Sequence, residues 1–255
     1  MVHDIGLRKE EEDKNMREEN IDVATPDGAM DCFFAYPESS EPCPAVIIYM
    51  DVPGIREELR NFARRIAENG YVGVLPDLYY REGKVRFDLS KGQEELKKMF
   101  AVGSQLSNAM IMRDTEGLLA YLAAQSSITD HVGTIGYCMS GQFVLSAAGT
   151  FPDQIRATAS LYGTRMVTDK DDSPHKLIPQ VTGELYLGFA SQDHFVEDFV
   201  IPTLQQDLDA AGTNYDLVIH EDTDHGFCFP ERPGYVEHAA ELVWETVFAM
   251  YDRCL

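Results

Sequence analysis

The sequence has few basic residues for its length. Lys and Arg number 21 against 43 Asp and Glu, which gives a formal net charge of −22. A surface of this charge repels nucleic acid and anionic lipid, so we expect neither nucleic acid nor a membrane as a partner. Solubility is a sufficient reason for the acidity, and we attach no function to it.

Long hydrophobic runs and paired cysteines are also missing. No stretch approaches the roughly 18 consecutive apolar residues of a transmembrane helix, and residues 1–20 lack the apolar run of a secretory signal. The cysteines form no C-x-x-C pair and no zinc-ligand spacing with histidine. We therefore expect reduced thiols in the cytoplasm, no metal and no cofactor. The five are Cys32, Cys43, Cys138, Cys228 and Cys254.

The composition is that of an ordinary globular protein. Hydrophobic residues make up 44% and charged residues 25% of the 255 residues, a length that suits one large domain. Residues 1–18 are mostly charged, and we interpret them as a polar N-terminal tail without a function of its own. Residues 19–255 are then expected to form a single domain.

Apolar runs and turn residues divide that domain into alternating strands and helices. Residues 21–24 and 30–36 flank the turn Thr25-Pro26-Asp27-Gly28, which predicts an antiparallel hairpin at a sheet edge. The run AVIIYM is apolar throughout, as in a strand buried on both faces of a parallel sheet. The pattern predicts an α/β fold whose mostly parallel central sheet carries helices on both faces. Strands are expected at 45–50, 71–75, 132–135, 155–161, 184–190 and 215–220, and helices at 57–69, 93–102, 108–124, 143–148, 202–211 and 235–251.

The stretch HVGTIGYCMSG at 131–141 has the form of a strand, a tight turn and a helix. A G-x-S-x-G nucleophile elbow has the same form, and Cys138 occupies the position of its serine. The small residues Gly136 and Ser140 would make room for the strained turn. The alternative is that Cys138 is a small buried hydrophobic residue, the common fate of a free cysteine.

Two later loops supply the partners that a nucleophilic cysteine needs. Asp193 follows the strand at 184–190, and His225 follows the strand at 215–220. The order nucleophile, acid, histidine is the order of an α/β-hydrolase triad. His225 can take the thiol proton, and Asp193 can orient the imidazole. Asp193 could instead cap a helix, His225 could be an ordinary surface residue, and the alternative acids beside His225 are Asp222 and Asp224.

Two backbone N–H groups are candidates for an oxyanion hole. In this fold one donor belongs to the residue after the nucleophile, which is Met139 here. The other comes from the loop after the third strand, Met50-Asp51-Val52-Pro53-Gly54. Because Pro53 has no N–H, Val52 is the better candidate.

Four motifs together resemble the dienelactone hydrolase family, over about residues 20–252. They are GYCMSG, SQDHFV, DHGF and PDLYYR. The resemblance implies a carboxymethylenebutenolidase-like enzyme with the α/β-hydrolase fold. Such an enzyme would open a small ester or lactone with Cys138, Asp193 and His225 through a thioester acyl-enzyme. Its partner would be a small-molecule substrate, and a homodimer is left open.

The chain departs from the family pattern at the substrate site. The family's glutamate that contacts the resting thiol is replaced by Asp51, and its substrate-binding arginines by Phe229 and Leu96. Arg81 and Arg232 could substitute from nearby loops, but we expect an apolar pocket and a preference for neutral esters. Its expected walls are Phe227, Phe229, Tyr79, Tyr80 and Phe100.

Other functions remain open for the same fold. A thioesterase or an acyltransferase would use the same three residues, and sequence does not separate them from an esterase. A non-catalytic binding or redox-sensing protein would keep Cys138 but would have no need of a general base.

Overall fold

Strands and helices alternate through residues 16–255, the part of the chain that the computed structural model describes. The strands are β1 Arg17–Thr25, β2 Gly28–Tyr36, β3 Cys43–Tyr49, β4 Val72–Pro76, β5 Ile128–Tyr137, β6 Ile155–Leu161, β7 Glu184–Gln192 and β8 Tyr215–Asp224. The α-helices are α1 Glu57–Glu68, α2 Gln93–Gly103, α3 Asn108–Ala123, α4 Gly141–Thr150, α5 Val200–Ala211 and α6 Glu237–Cys254.

All of these strands belong to one sheet. Its order is β1-β2-β4-β3-β5-β6-β7-β8. The hairpin β1–β2 is antiparallel and joins β4 at one edge, whereas β3 to β8 run parallel to their neighbours. The prediction of a mostly parallel sheet with an N-terminal antiparallel hairpin is confirmed.

The centre of the sheet is its most apolar part. Residues 45–49 of β3 are all buried, because β3 lies between β4 and β5 and has helices on both of its faces. This burial explains why the run AVIIYM shows no polar alternation. Polar side chains are instead concentrated in the loops, where the parallel strands end.

Helices cover both faces of the sheet, as predicted. On one face α1 packs against α6 through Phe62 and Trp244, whose ring centroids lie 5.4 Å apart. On the other face α4 contacts α3, β5 and β6. Among residues 16–255, none of the helices combines the length and the hydrophobicity that a bilayer crossing requires.

The predicted boundary at residue 18 falls inside a strand. Most of the expected polar tail lies outside the described residues, but Arg17 and Glu18 already belong to β1. Arg64 of α1 donates a hydrogen bond of 2.6 Å to Glu18, which ties this charged segment to the domain. The last residues of this charged segment therefore lie in an exposed edge strand, where charged side chains are common.

Candidate active site

Cys138 occupies a strained position between β5 and α4. Its φ is +54°, in the left-handed region that residues with a β-carbon rarely adopt. A single turn of 3-10 helix, Cys138–Ser140, follows the strand and leads directly into α4. The Cys138 side chain is partly exposed, although it also packs against the hydrophobic core.

Small residues permit this turn. A β-carbon on Gly136 would lie 2.6 Å from the Val144 side chain. A β-carbon on Gly141 would lie 2.3 Å from the α-carbon of Gly163, in the loop after β6. Ser140 is buried, and its hydroxyl donates to the carbonyl of Met50 at the end of β3. The elbow is thus fixed against the loops that follow both neighbouring strands.

Asp193 and His225 come together at the ends of β7 and β8. Ala190 pairs with His220 and Gln192 with Asp224, so β8 has two more residues than β7 between these pairs. Asp222 lies in that bulge with φ +56°. His225 follows the bulge, and its Nδ1 lies 2.7 Å from Oδ2 of Asp193. This hydrogen bond fixes the orientation of the imidazole.

The imidazole is largely shielded from solvent. The side chains of His225 and Asp193 are 8% and 3% exposed. Burial lowers the pKa of His225, but the hydrogen bond to Asp193 and the nearby Cys138 sulfur outweigh it and raise the pKa to about 9. Nε2 is buried and has no hydrogen-bond partner of ordinary geometry within residues 16–255. The atom that would exchange a proton with Cys138 is therefore not occupied by another group.

The alternative acids and histidines have other roles. Asp222 and Asp224 are exposed and make no hydrogen bond to His225 in the described part of the chain. His220 is buried and lies 2.9 Å from the hydroxyl of Tyr186, and burial lowers its pKa. Among these candidates, only Asp193 and His225 form a carboxylate–imidazole pair.

A pocket of about 510 Å³ opens over Cys138 and His225. Its wall is mostly apolar, and α2 contributes part of one side. The side chains and glycines that line it are Val52, Pro53, Leu96, Met99, Phe100, Gly103, Ser104, Cys138, Met139, Thr164, Arg165, Phe195, His225, Arg232, Pro233 and Gly234.

The two residues predicted to form an oxyanion hole both line this pocket. Met139 follows Cys138 directly, and Val52 lies in the loop after β3. The Tyr79 hydroxyl donates a hydrogen bond of 2.8 Å to the Val52 carbonyl, which fixes that loop. Backbone amides held by buried contacts are the type of donor that an oxyanion requires.

Asp51, predicted to contact the thiol, instead forms ion pairs. It is fully buried, and it accepts hydrogen bonds from Arg56, at 2.5 Å, and from Arg232. A buried carboxylate requires such partners, because its desolvation is costly. Asp51 therefore links the loop after β3 to the loop that follows β8.

Two predicted substrate residues lie outside the pocket wall. Phe229 is fully buried, and the guanidinium groups of Arg56 and Arg232 lie 4.6 and 4.5 Å from its ring centroid. Arg81 binds Asp114 with hydrogen bonds of 2.7 and 2.8 Å and also binds Asp27. Both predictions are wrong, because these side chains are used by the core and by a structural ion pair.

The prediction of an apolar pocket is only partly correct. Of the aromatic walls expected, Phe100 lines the pocket, whereas Phe227, Phe229 and Tyr79 are buried in the core. Tyr80 is also absent from the wall; its hydroxyl donates to Asp114, at 2.9 Å.

Several wall residues are not predicted by the sequence as parts of the site, Phe195 and Arg165 among them, and Arg232 is predicted only as a substitute for a family arginine. Arg165 has φ +56° and no ion-pair partner within residues 16–255. Arg232 is neutralised by Asp51. The position of Phe195 two residues after Asp193 was the available signal.

The residues that the structure describes do not form a metal centre. Within residues 16–255, no group of three or more His, Cys, Asp and Glu side chains has the arrangement needed to hold a metal ion. His225, which lines the pocket, is paired with Asp193.

Comparison with known proteins agrees with this architecture. A provisionally named carboxymethylenebutenolidase of Salmonella typhi is 26% identical over 251 residues, which cover 90% of this chain and 91% of that protein. A provisionally named 2-oxo-3-(5-oxofuran-2-ylidene)propanoate lactonase of Bradyrhizobium is 24% identical and covers 92% of this chain and 94% of its own. A crystal structure provisionally named dienelactone hydrolase, from Klebsiella pneumoniae, superposes with a TM-score of 0.81 at 22% identity, covering 92% and 98% of the two chains.

The last comparison shows a common fold, which is the predicted α/β-hydrolase fold. The family assignment rests on a separate finding. A model of the dienelactone hydrolase family matches residues 30–255, nearly the whole chain. The protein therefore belongs to the dienelactone hydrolase family, and its curated relatives are carboxymethylenebutenolidase-like hydrolases at low sequence identity.

Proposed function

We propose that this protein hydrolyses small carboxylic esters or lactones with Cys138 as the nucleophile. One observation carries the proposal: His225, whose Nδ1 lies 2.7 Å from Oδ2 of Asp193, lines the same pocket as a partly exposed cysteine at a strained elbow. A binding module has no use for an oriented imidazole beside a thiol. Nucleophilic catalysis requires that arrangement.

The reaction would proceed in two steps. The Cys138 thiol transfers its proton to Nε2 of His225, and the sulfur then forms a bond to the substrate carbonyl carbon. The N–H groups of Val52 and Met139 stabilise the oxyanion. The carbon–oxygen bond of the ester breaks, the leaving oxygen takes the proton from Nε2, and a thioester remains on Cys138. In a lactone the leaving oxygen stays attached to the acyl group.

Water completes the cycle. His225 takes a proton from a water molecule whose oxygen attacks the thioester carbonyl, and the same proton returns to the sulfur as the acid leaves. Asp193 stabilises the imidazolium at both stages through its hydrogen bond. The raised pKa of His225, about 9, supports this role because it favours the protonated ring at neutral pH.

The first test is the p-nitrophenyl acetate activity of the wild type and of Cys138→Ala. We expect the variant to lose more than about 10³-fold in kcat, because a triad without its nucleophile retains little activity. The matched control is Cys254→Ala, since Cys254 is a partly exposed free cysteine that does not line the pocket. Equal rates for wild type and Cys138→Ala would contradict the hydrolase proposal.

Substrate class is tested with the same proteins. A carboxylate-bearing lactone, its methyl ester and a thioester of the same acyl group are compared by kcat/KM. The name of the Bradyrhizobium relative includes a propanoate lactone, and Arg165 is the pocket arginine that no acidic residue within 16–255 neutralises. Arg165→Ala is expected to lower kcat/KM for the anionic lactone and to leave the methyl ester unchanged. A thioester turned over fastest would favour a thioesterase.

The cellular setting and the domain organisation belong to the proposal as well. All five cysteines are unpaired, which supports a reducing compartment such as the cytoplasm. One sheet with helices on both faces supports a single catalytic domain from about residue 17.

A further inference from the structure

The imidazole of His225 lies against two aromatic rings. The ring centroid of Tyr162 is 5.0 Å from that of His225, and the ring centroid of Phe195 is 4.7 Å from it. Tyr162 is fully buried behind the site, where it also contacts Phe227. Phe195 lines the pocket and is 48% exposed. The imidazole is therefore supported from the core by one ring and from the pocket by the other.

Phe195 contacts both partners of the carboxylate–imidazole pair. Its backbone N–H donates a hydrogen bond of 2.9 Å to Oδ1 of Asp193, the oxygen that His225 does not use. Its ring reaches the imidazole, and the ring of His194 also packs against it, with centroids 4.1 Å apart. About half of the Phe195 side chain is exposed to solvent, although burial in the core would be more favourable. This exposure is explained if the ring acts on His225.

The atom that needs protection is Nε2. It is buried and unpartnered within residues 16–255, although Cys138 and His225 line the same pocket. A water molecule hydrogen-bonded to Nε2 would compete with the thiol for the proton and would screen the ion pair. The charged or titratable groups that face the imidazole are Asp193, Cys138 and Tyr162, and Arg165 and Arg232 line the same pocket. His194 adjoins it through Phe195, Cys228 through Tyr162, and Asp51 through Arg232.

We propose that Phe195 is a positioning residue for His225: its ring holds the imidazole against Tyr162 and keeps water away from Nε2. The inference rests on the proposed function, in which Nε2 exchanges a proton with Cys138. Without the ring, the imidazole would rotate more freely, and water would enter between Nε2 and the sulfur. A small loss of alignment lowers the rate of a proton transfer that depends on proximity.

The test compares three variants by a readout that does not require activity. In Phe195→Ala, the NMR titration midpoint of the His225 ring is expected to fall by about one unit, toward the ordinary histidine value of about 6.5. The burial that lowers this pKa is partly relieved, but the water that enters screens the interactions with Asp193 and Cys138 that raise it by more. Phe195→Leu keeps an apolar cover and is expected to keep most of the shift. The matched control is Phe199→Ala, because Phe199 is 50% exposed but does not line the pocket. Its midpoint should equal that of the wild type.

Kinetics separate positioning from simple substrate contact. Phe195→Ala is expected to lower kcat by about 10-fold, with a smaller change in KM, because alignment affects the chemical step. An unchanged His225 midpoint, or a loss confined to KM, would overturn the proposal. The hydrolase proposal fails on a different result, the activity of Cys138→Ala, so the two failures are distinguishable.

Discussion

At the scale of single residues, the site combines a strained cysteine with a protected histidine. Cys138 is held at φ +54°, and such strain persists only where surrounding contacts impose it. His225 is held by the Asp193 carboxylate, and its Nε2 is left without a partner among the described residues. The Cys138 side chain is partly exposed, whereas the His225 side chain is only 8% exposed. In the proposed mechanism the nucleophile must reach substrate, whereas its base functions better away from water.

The pH dependence follows from His225. Its folded-state pKa, about 9, lies above the ordinary value of about 6.5. Protonation of the ring therefore stabilises the fold: this contribution is complete below about pH 6.5 and is lost as pH rises through about 9. If the imidazolium is the leaving-group acid, kcat/KM should also fall as pH rises through about 9.

Asp193→Asn is expected to move the alkaline limb of the kcat/KM profile to lower pH. The carboxylate raises the pKa of His225, and a neutral amide does so less. The control is Asp222→Asn, because Asp222 is the exposed alternative acid. Its backbone is left-handed, a conformation that asparagine also tolerates. A limb that moved in Asp222→Asn but not in Asp193→Asn would contradict the assignment of the acid.

Sequence reasoning proposed Cys138, Asp193 and His225 because each directly follows a strand, and their catalytic roles stay a prediction. It did not reach the role of Phe195 or of Arg165, because those roles depend on which loop faces which. Phe229 and Arg81 were misassigned for the related reason that their side chains had partners from distant segments. Chain order predicts the ends of strands but not the side-chain contacts between loops.

At the scale of secondary-structure elements, two local irregularities build the site. One is the elbow, in which α4 begins so close to the loop after β6 that Gly141 faces Gly163. The other is the bulge of β8, where two extra residues bring His225 to the level of Asp193. The sequence predicted the strands and most helix limits within a few residues. It placed the end of β8 at His220 rather than Asp224, because a bulge interrupts the apolar pattern.

Gly141→Ala tests how tightly the elbow is fixed. Alanine normally stabilises a helix by about 0.5–1 kcal/mol relative to glycine. Here its β-carbon would lie 2.3 Å from the Gly163 backbone, so we expect a net destabilisation of about 1–3 kcal/mol, as for an overpacked core. Thermal unfolding measures it.

The control for this substitution is Thr150→Ala, at an exposed position of the same helix. It adds helix propensity without a clash and should leave the melting temperature equal or slightly higher. A Gly141→Ala variant as stable as the wild type would mean that the two loops separate readily.

At the scale of the whole molecule, the net charge and the arrangement of the sheet are nearly independent of each other. The alternation of strands and helices predicts the sheet, and the net charge of −22 is spread over its surface groups. Some acidic residues are paired across elements, as Glu18 and Glu57 are with Arg64. With 43 acidic residues against 21 basic ones, carboxylates outnumber the cationic side chains that could pair with them about two to one.

Salt should therefore stabilise the protein. Raising NaCl from about 0.01 M to about 1 M shortens the Debye length from about 30 Å to about 3 Å, which screens the repulsion between carboxylates. We expect the melting temperature to rise over this range, because exposed ion pairs contribute little that salt could remove. Calorimetry in NaCl, with an uncharged osmolyte at equal osmolality as the control, measures the effect. A flat or falling melting temperature would show that repulsion is not important.

The wide separation of Cys138 from His225 along the chain has a consequence during synthesis. The elbow is made well before β8, and β8 must pair with β7 before the imidazole can reach the thiol. A partly synthesised chain therefore carries Cys138 without the imidazole that would take its proton. The triad of the proposed mechanism is complete only when the last parallel strand joins the sheet.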